Sequence, residues 1–164
     1  MGIRNAAKAL IIRDEQILLN KCRHTLGEGL WGLTTGEEYY DLPGGGQELY
    51  ETIEEAVVRE CLEETGHVVT VERLAAVYEE ITMDTDFRTG RFAAYAHKIH
   101  FAFVCTIAEE NAAAERVIDF DVEDAVWIDL ADIDKIKILP KLINDNLRRV
   151  LQSDVTLFLG SERV

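Results

Sequence analysis

Hydrophobic and polar positions alternate along the chain in two periods, one short and one helical. Ala6 to Ile12, Gln16 to Lys21 and Tyr39 to Leu42 are short apolar-rich runs that predict strands, the first two joined across the polar turn Arg13-Asp14-Glu15. Gly27, Gly29, Gly32 and Gly36 mark residues 23–37 as a loop, and Pro43 with Gly44-Gly45-Gly46 stops the third strand. Val68 to Ile81 and Ile99 to Ile107 predict two further strands, with the polar stretch Thr82 to Arg91 joining them as a long hairpin loop. Val122 to Ile128 reads as a strand, Leu139 to Leu151 as a helix by its period, and Val155 to Leu159 as a closing strand. The order is strands first, one helix in the middle and one late. It predicts an α/β layered domain with a mixed sheet, and with no repeat or linker residues 1–164 are expected to form one domain.

The middle helix has defined ends. Thr52 and Glu55 stand at capping-box spacing, so that each side chain satisfies a backbone amide of the first turn. Gly66 after Thr65 suits a left-handed cap. Turning about 100° per residue gathers Val58, Cys61, Leu62 and Thr65 on one side. A second stripe starts apolar, with Ile53, Ala56 and Val57, and continues as Glu60, Glu63 and Glu64. Like charges at that spacing weaken a helix, and acids near its C-terminal end oppose the dipole. A hard cation held by carboxylate oxygens, Mg²⁺ or Mn²⁺, removes both costs. Taken alone, the stripe is equally well explained as a solvated acidic helix end.

The flanking residues decide between these. Gly45, Glu51 and then Arg59-Glu60-Cys61-Leu62-Glu63-Glu64-Thr65-Gly66-His67 follow one another at fixed intervals. In this the chain resembles the Nudix hydrolases, whose box is Gly, five residues, Glu, seven residues, then Arg-Glu-U-x-Glu-Glu-x-Gly-U with U bulky and aliphatic. Every fixed position matches; Cys61 and His67 depart from the pattern at the two U positions, and Tyr50 stands where the family often has glycine.

The resemblance implies a Nudix-like α/β/α sandwich with a mixed β-sheet between helices. It also implies metal-dependent hydrolysis of a nucleoside diphosphate linked to another moiety, such as a nucleotide sugar, ADP-ribose or a nucleoside triphosphate. On this pattern Glu60 and Glu64 are the principal ligands of Mg²⁺ or Mn²⁺, Glu63 completes the cluster, and the Gly45 carbonyl reaches the metal. Arg59 fixes the catalytic glutamate and Glu51 pairs with Arg59. The general base is Glu60 in some Nudix enzymes and lies in a distant loop in others. The acidic run Asp119 to Asp124 makes Asp121 and Glu123 the candidates for such a loop acid, against a plain solvated loop. Tyr39 and Tyr40 alternate across their strand, so one faces inward and the other is free to stack on a base. Trp31 is a packing anchor or a second stacking residue. The triple glycine lacks a following Gly-Lys-Ser/Thr, which rejects a Walker-type phosphate loop.

Composition narrows the partners. A formal net charge of −14 over 164 residues opposes binding to duplex nucleic acid and leaves a small nucleotide diphosphate derivative as the expected partner. Cys22, Cys61 and Cys105 have no CxxC spacing, so neither a disulfide framework nor structural zinc is expected; Cys22 with His24, and His97 with His100, read as scattered residues. No apolar run nears the roughly 18 residues of a membrane span. Lys8 interrupts the first apolar stretch, Ala6 stands where a myristoylation motif needs Ser or Thr, and a cytoplasmic protein is expected. A homodimer through the 82–91 loop and the C-terminal strand is a further expectation. The competing functional class is a nucleotide-sensing or binding module, which typically loses box carboxylates; here all are present.

Overall fold

A computed structural model describes residues 2–112, 116, 117 and 121–164. β1 (Arg4–Arg13) and β2 (Gln16–Arg23) form the expected hairpin, yet they pair only next to its turn, at Ile12 with Ile17 and Arg13 with Gln16. Beyond that point they part. β1 runs parallel to β5 (His97–Glu109), and β2 pairs with β3 (Glu38–Asp41) and β6 (Val122–Asp129). The segment from Pro43 to Gly46 fills the gap that opens, with Ala9 N donating to Pro43 O and Ala7 N to Gly45 O, both at 2.8 Å. The glycine-rich stretch is thereby fixed to the middle of the sheet, where its backbone faces the helix α1 (Ile53–Thr65).

With β4 at Val68–Ile81, β7 at Ile138–Leu139 and β8 at Leu157–Arg163, the strand order is β7-β3-β2-β1-β5-β4-β8, with β6 also on β2. β4 is antiparallel to β5, while β8 joins β4 in parallel, so the sheet is mixed. Ala7, Ala9, Ile11 and Phe103 bury one face against Ala56, Val57 and Cys61 of α1 (Ile53–Thr65). Leu10, Ile17, Leu42 and Tyr78 bury the other against Ile143, Leu147 and Val150 of α3 (Lys141–Gln152). Helices cover both faces, the α/β/α sandwich expected.

Three elements differ from the sequence reading. The 82–91 stretch contains the short helix α2 (Thr85–Thr89), started by the Asp84 carboxylate accepting from Phe87 N at 2.7 Å, and one further helical turn follows at Ala93–Tyr95. Leu139 is not helical: Ile138–Leu139 form β7 beside Tyr40 and Asp41, because the ring of Pro140 clashes with the residue before it in the helical region, and the helix starts at Lys141. The closing strand starts later than Val155 and runs on through polar residues to Arg163, on the outer edge of the sheet, paired with β4 of its own chain. Among the described residues no helix is long and apolar enough to cross a membrane.

Candidate active site

The capping box fixes where α1 begins. Thr52 Oγ1 accepts from Glu55 N at 3.1 Å and Glu55 accepts from Thr52 N at 2.7 Å, while Gly66 closes the helix in the left-handed region at φ 77°. With Ala56, Val57 and Cys61 turned into the core, the rotation of the helix brings Glu60 and Glu64 against the Gly44–Gly45 backbone. Glu64 is 3% exposed, and its Oε2 accepts from Gly44 N and Asn20 Nδ2, both at 2.7 Å. A Cβ on Gly45 would lie 2.6 Å from the Glu60 carboxylate, so a side chain there would displace that carboxylate.

Burial raises the pKa of the Glu64 carboxyl to about 7, against the pull of Lys8, and raises that of Glu60 against the pull of Arg59. Two desolvated carboxylates facing one backbone turn are a costly arrangement that a cation offsets. The donors are hard oxygens: Glu60, Glu64 Oε1 and the second lone pair of the Gly45 carbonyl, whose first is taken by Ala7 N. In kind they fit Mg²⁺ or Mn²⁺. Among the described residues no three His, Cys, Asp or Glu side chains already converge on one point.

Glu63 stands apart from the other two. Its side chain is 37% exposed and accepts from Arg59 Nη1 at 3.2 Å. It lies three residues from Glu60 and therefore on the far side of it from Glu64, where Arg59 reaches it first. Arg59 binds much of the box at once: Glu51 at 2.8 Å, Glu60 at 2.9 Å and the Gly46 carbonyl at 2.9 Å. Glu51 and Glu60 hold its charge, and the Glu51 carboxyl is in turn held below its ordinary pKa, chiefly by the Arg59 hydrogen bond.

A cavity of about 300 Å³ is lined by this wall and by Trp31, Phe87, Phe92 and Tyr95. Trp31 meets Phe87 edge-on, their ring centroids 5.8 Å apart. Tyr39 lines the cavity and Tyr40 does not: Tyr40 packs on the α3-side core and donates to Glu38 at 2.8 Å. Asp121 also lines it, but is 5% exposed and already accepts three hydrogen bonds, from Thr25 N at 3.2 Å, Thr25 Oγ1, and the Tyr39 hydroxyl at 3.0 Å. Glu123 lies outside the cavity, paired with Arg23 at 2.5 Å. Asp119 falls outside the described residues. The three cysteines are buried and free.

Sequence reasoning missed Lys8. Its Nζ, nearly buried, donates to Asp41 Oδ2 at 2.6 Å, Leu42 O at 3.1 Å and Gly44 O at 2.8 Å, which uses all three hydrogens. Burial opposes its charge, but Asp41 and Glu64 outweigh burial and keep it an ammonium. The ammonium ties β1 to the end of β3 and the glycine turn beneath Glu64. The signal available was a lysine in a strand otherwise made of buried-type residues, which read only as an interruption.

A family model described as the NUDIX domain matches residues 2–153, and the chain belongs to that family. It is a Nudix hydrolase, of the pyrophosphatase kind. It is 32% identical over 144 residues to an ADP-ribose pyrophosphatase of Methanocaldococcus jannaschii, covering 87% of this chain and 72% of the relative. In fold it is similar to a mutator MutT protein from Bacillus halodurans, at TM-score 0.66 and 20% identity over 98% of this chain and 90% of the other. An ADP-ribose pyrophosphatase from Streptococcus suis has TM-score 0.60 and 16% identity, with 98% and 100% covered.

Proposed function

We propose that this Nudix hydrolase splits the diphosphate of a nucleoside diphosphate linked to a second moiety, with ADP-ribose as the leading substrate, in a reaction dependent on Mg²⁺ or Mn²⁺. The observation that carries the reading is the pair of buried Glu64 and half-buried Glu60, set against the Gly44–Gly45 backbone in a cavity that aromatic rings also line. A diphosphate placed at the acidic wall leaves its nucleoside within reach of Trp31 and Phe87. The 32% identity to an ADP-ribose pyrophosphatase supports this choice of substrate among the linked diphosphates.

Glu60, Glu64 and the Gly45 carbonyl would hold the cation, which supplies charge neutralisation at phosphoryl oxygens and lowers the pKa of a bound water. Arg59 orients the Glu60 carboxylate, and Glu51 fixes Arg59 from the opposite side. Glu60 is the favoured general base, since Asp121 is buried and already accepts three hydrogen bonds from Thr25 and Tyr39. The test is product release from a panel of nucleotide sugars, ADP-ribose and nucleoside triphosphates with either metal, beside Glu60→Gln. Turnover of the linked diphosphates, reduced by at least ~10²-fold in the variant, is expected. A folded protein that cleaves nothing on the panel with either ion would sink the reading.

A further inference from the structure

Four cationic side chains line the cavity among the described residues: Arg4, Lys8, Arg59 and Lys98. Three are committed to carboxylates. Lys8 lies 2.6 Å from Asp41, Arg59 2.8 Å from Glu51, and Lys98 2.8 Å from Glu80. Arg4 has no such partner among the described residues; its guanidinium packs against Gly46 and against the Tyr95 ring, 4.6 Å from the guanidinium carbon to the centroid. In a chain of net charge −14, a half-buried arginine left without a carboxylate runs against the general pattern. A partly desolvated guanidinium is stable there when an anion meets it.

Its position says which anion. A Cβ on Gly46 would lie 2.0 Å from Arg4 Nη2, and a Cβ on Gly45 would lie 2.6 Å from the Glu60 carboxylate. Successive glycines, with Cα atoms about 3.8 Å apart, therefore carry a carboxylate and a guanidinium against the same short backbone. Arg4 and Glu60 nevertheless form no ion pair. Tyr95 lies against the guanidinium, and no carboxylate among the described residues takes its N–H groups, which leaves them for a ligand. An edge of parallel N–H groups matches the oxygens of a phosphoryl group.

We propose that Arg4 is a substrate-binding residue that grips the diphosphate, donating hydrogen bonds to phosphoryl oxygens beside the carboxylate wall. The inference rests on the diphosphate reading above and adds a residue outside the conserved-spacing box. Arg4 takes no part in proton transfer; it supplies binding and orientation.

The probe is magnesium methylenediphosphonate, a non-hydrolysable diphosphate with neither base nor sugar, measured as an inhibitor and by calorimetry. Arg4→Gln should raise both the KM for ADP-ribose and the inhibition constant of the probe, each about 10- to 100-fold, with kcat within about 3-fold. Arg4→Lys should give a smaller rise in both, having charge without the planar fork. A role limited to supporting Tyr95 would raise KM and leave the probe unchanged, and that result overturns the proposal. Should Arg4→Gln fail to fold, Arg4→Lys decides alone: probe affinity within 2-fold of wild type overturns it. If the wild type cleaves no linked diphosphate, the substrate reading has failed; calorimetric binding of the probe to wild type and variant still decides whether Arg4 holds a diphosphate.

Discussion

The two ends of the cavity are built in opposite ways. The acidic end comes from one continuous stretch, Gly44 to Gly66, whose glycines, cap and glutamates are neighbours in sequence. The aromatic end is assembled from Trp31 in one loop and Phe87 on α2. A local stretch can carry its geometry in its spacing, because helix periodicity and capping fix which side chains share a face. An end drawn from distant segments owes its geometry to strand pairing, which no spacing records. The first end suits chemistry that is common to a family, and the second suits selection among substrates.

The largest effect should follow from crowding the acidic end at its closest contact. Gly45→Ala would place a methyl 2.6 Å from the Glu60 carboxylate, where backbone on one side and Arg59 on the other leave little room to yield. Displacing that group by about an ångström should lower kcat on the order of 10²-fold. Circular dichroism and the melting temperature should show a folded protein, since the capping box and the α1 core contacts are untouched. A variant with full kcat would mean that Glu60 does not need the position it occupies.

A smaller and differently shaped effect is expected at the aromatic end. Trp31→Leu removes the ring that meets Phe87 edge-on, and stacking on a base is worth about 1–3 kcal/mol. KM for ADP-ribose should rise roughly 10-fold while kcat changes little, and inhibition by methylenediphosphonate should stay at the wild-type level. Steady-state kinetics on the same preparation distinguish the cases. A fall in kcat with KM unchanged would show that the two ends are not separable.

The same contrast accounts for what was legible in the sequence. The α1 caps follow from local rules, and the structure has them as read; the two stripes do not stay apart, since Ala56, Val57 and Cys61 share a buried face with Glu64 while Val58 and Leu62 are half-buried. The alternation of Tyr39 and Tyr40 was legible too, but which of them faces the cavity depends on Asp121, 82 residues away, accepting the Tyr39 hydroxyl. α2 has its capping aspartate in plain view, yet at 5 residues it is too short to show a period. Lys8 and Arg4 draw their meaning from the parting of β1 and β2 and from what Pro43 to Gly46 places in the gap. That is a tertiary event, and a strand pattern alone predicts a continuous hairpin.

The smallest effect sharpens the comparison within the acidic end itself. Helix spacing places Glu60, Glu63 and Glu64 together, whereas packing divides them. Glu64 is buried and Glu60 lies against Gly45, while Glu63 is 37% exposed and faces Arg59. An exposed i,i+4 pair of that kind contributes about 0.3–0.5 kcal/mol. Glu63→Gln should therefore cost only about 2-fold in kcat/KM, far less than Glu60→Gln, and should leave the apparent affinity for Mg²⁺ close to wild type. Magnesium titrations of initial rate on the two variants make the comparison directly. An equal loss in both would mean that Glu63 leaves Arg59 and turns toward the cation when one binds, and that the acidic stripe acts as the single unit its spacing implies.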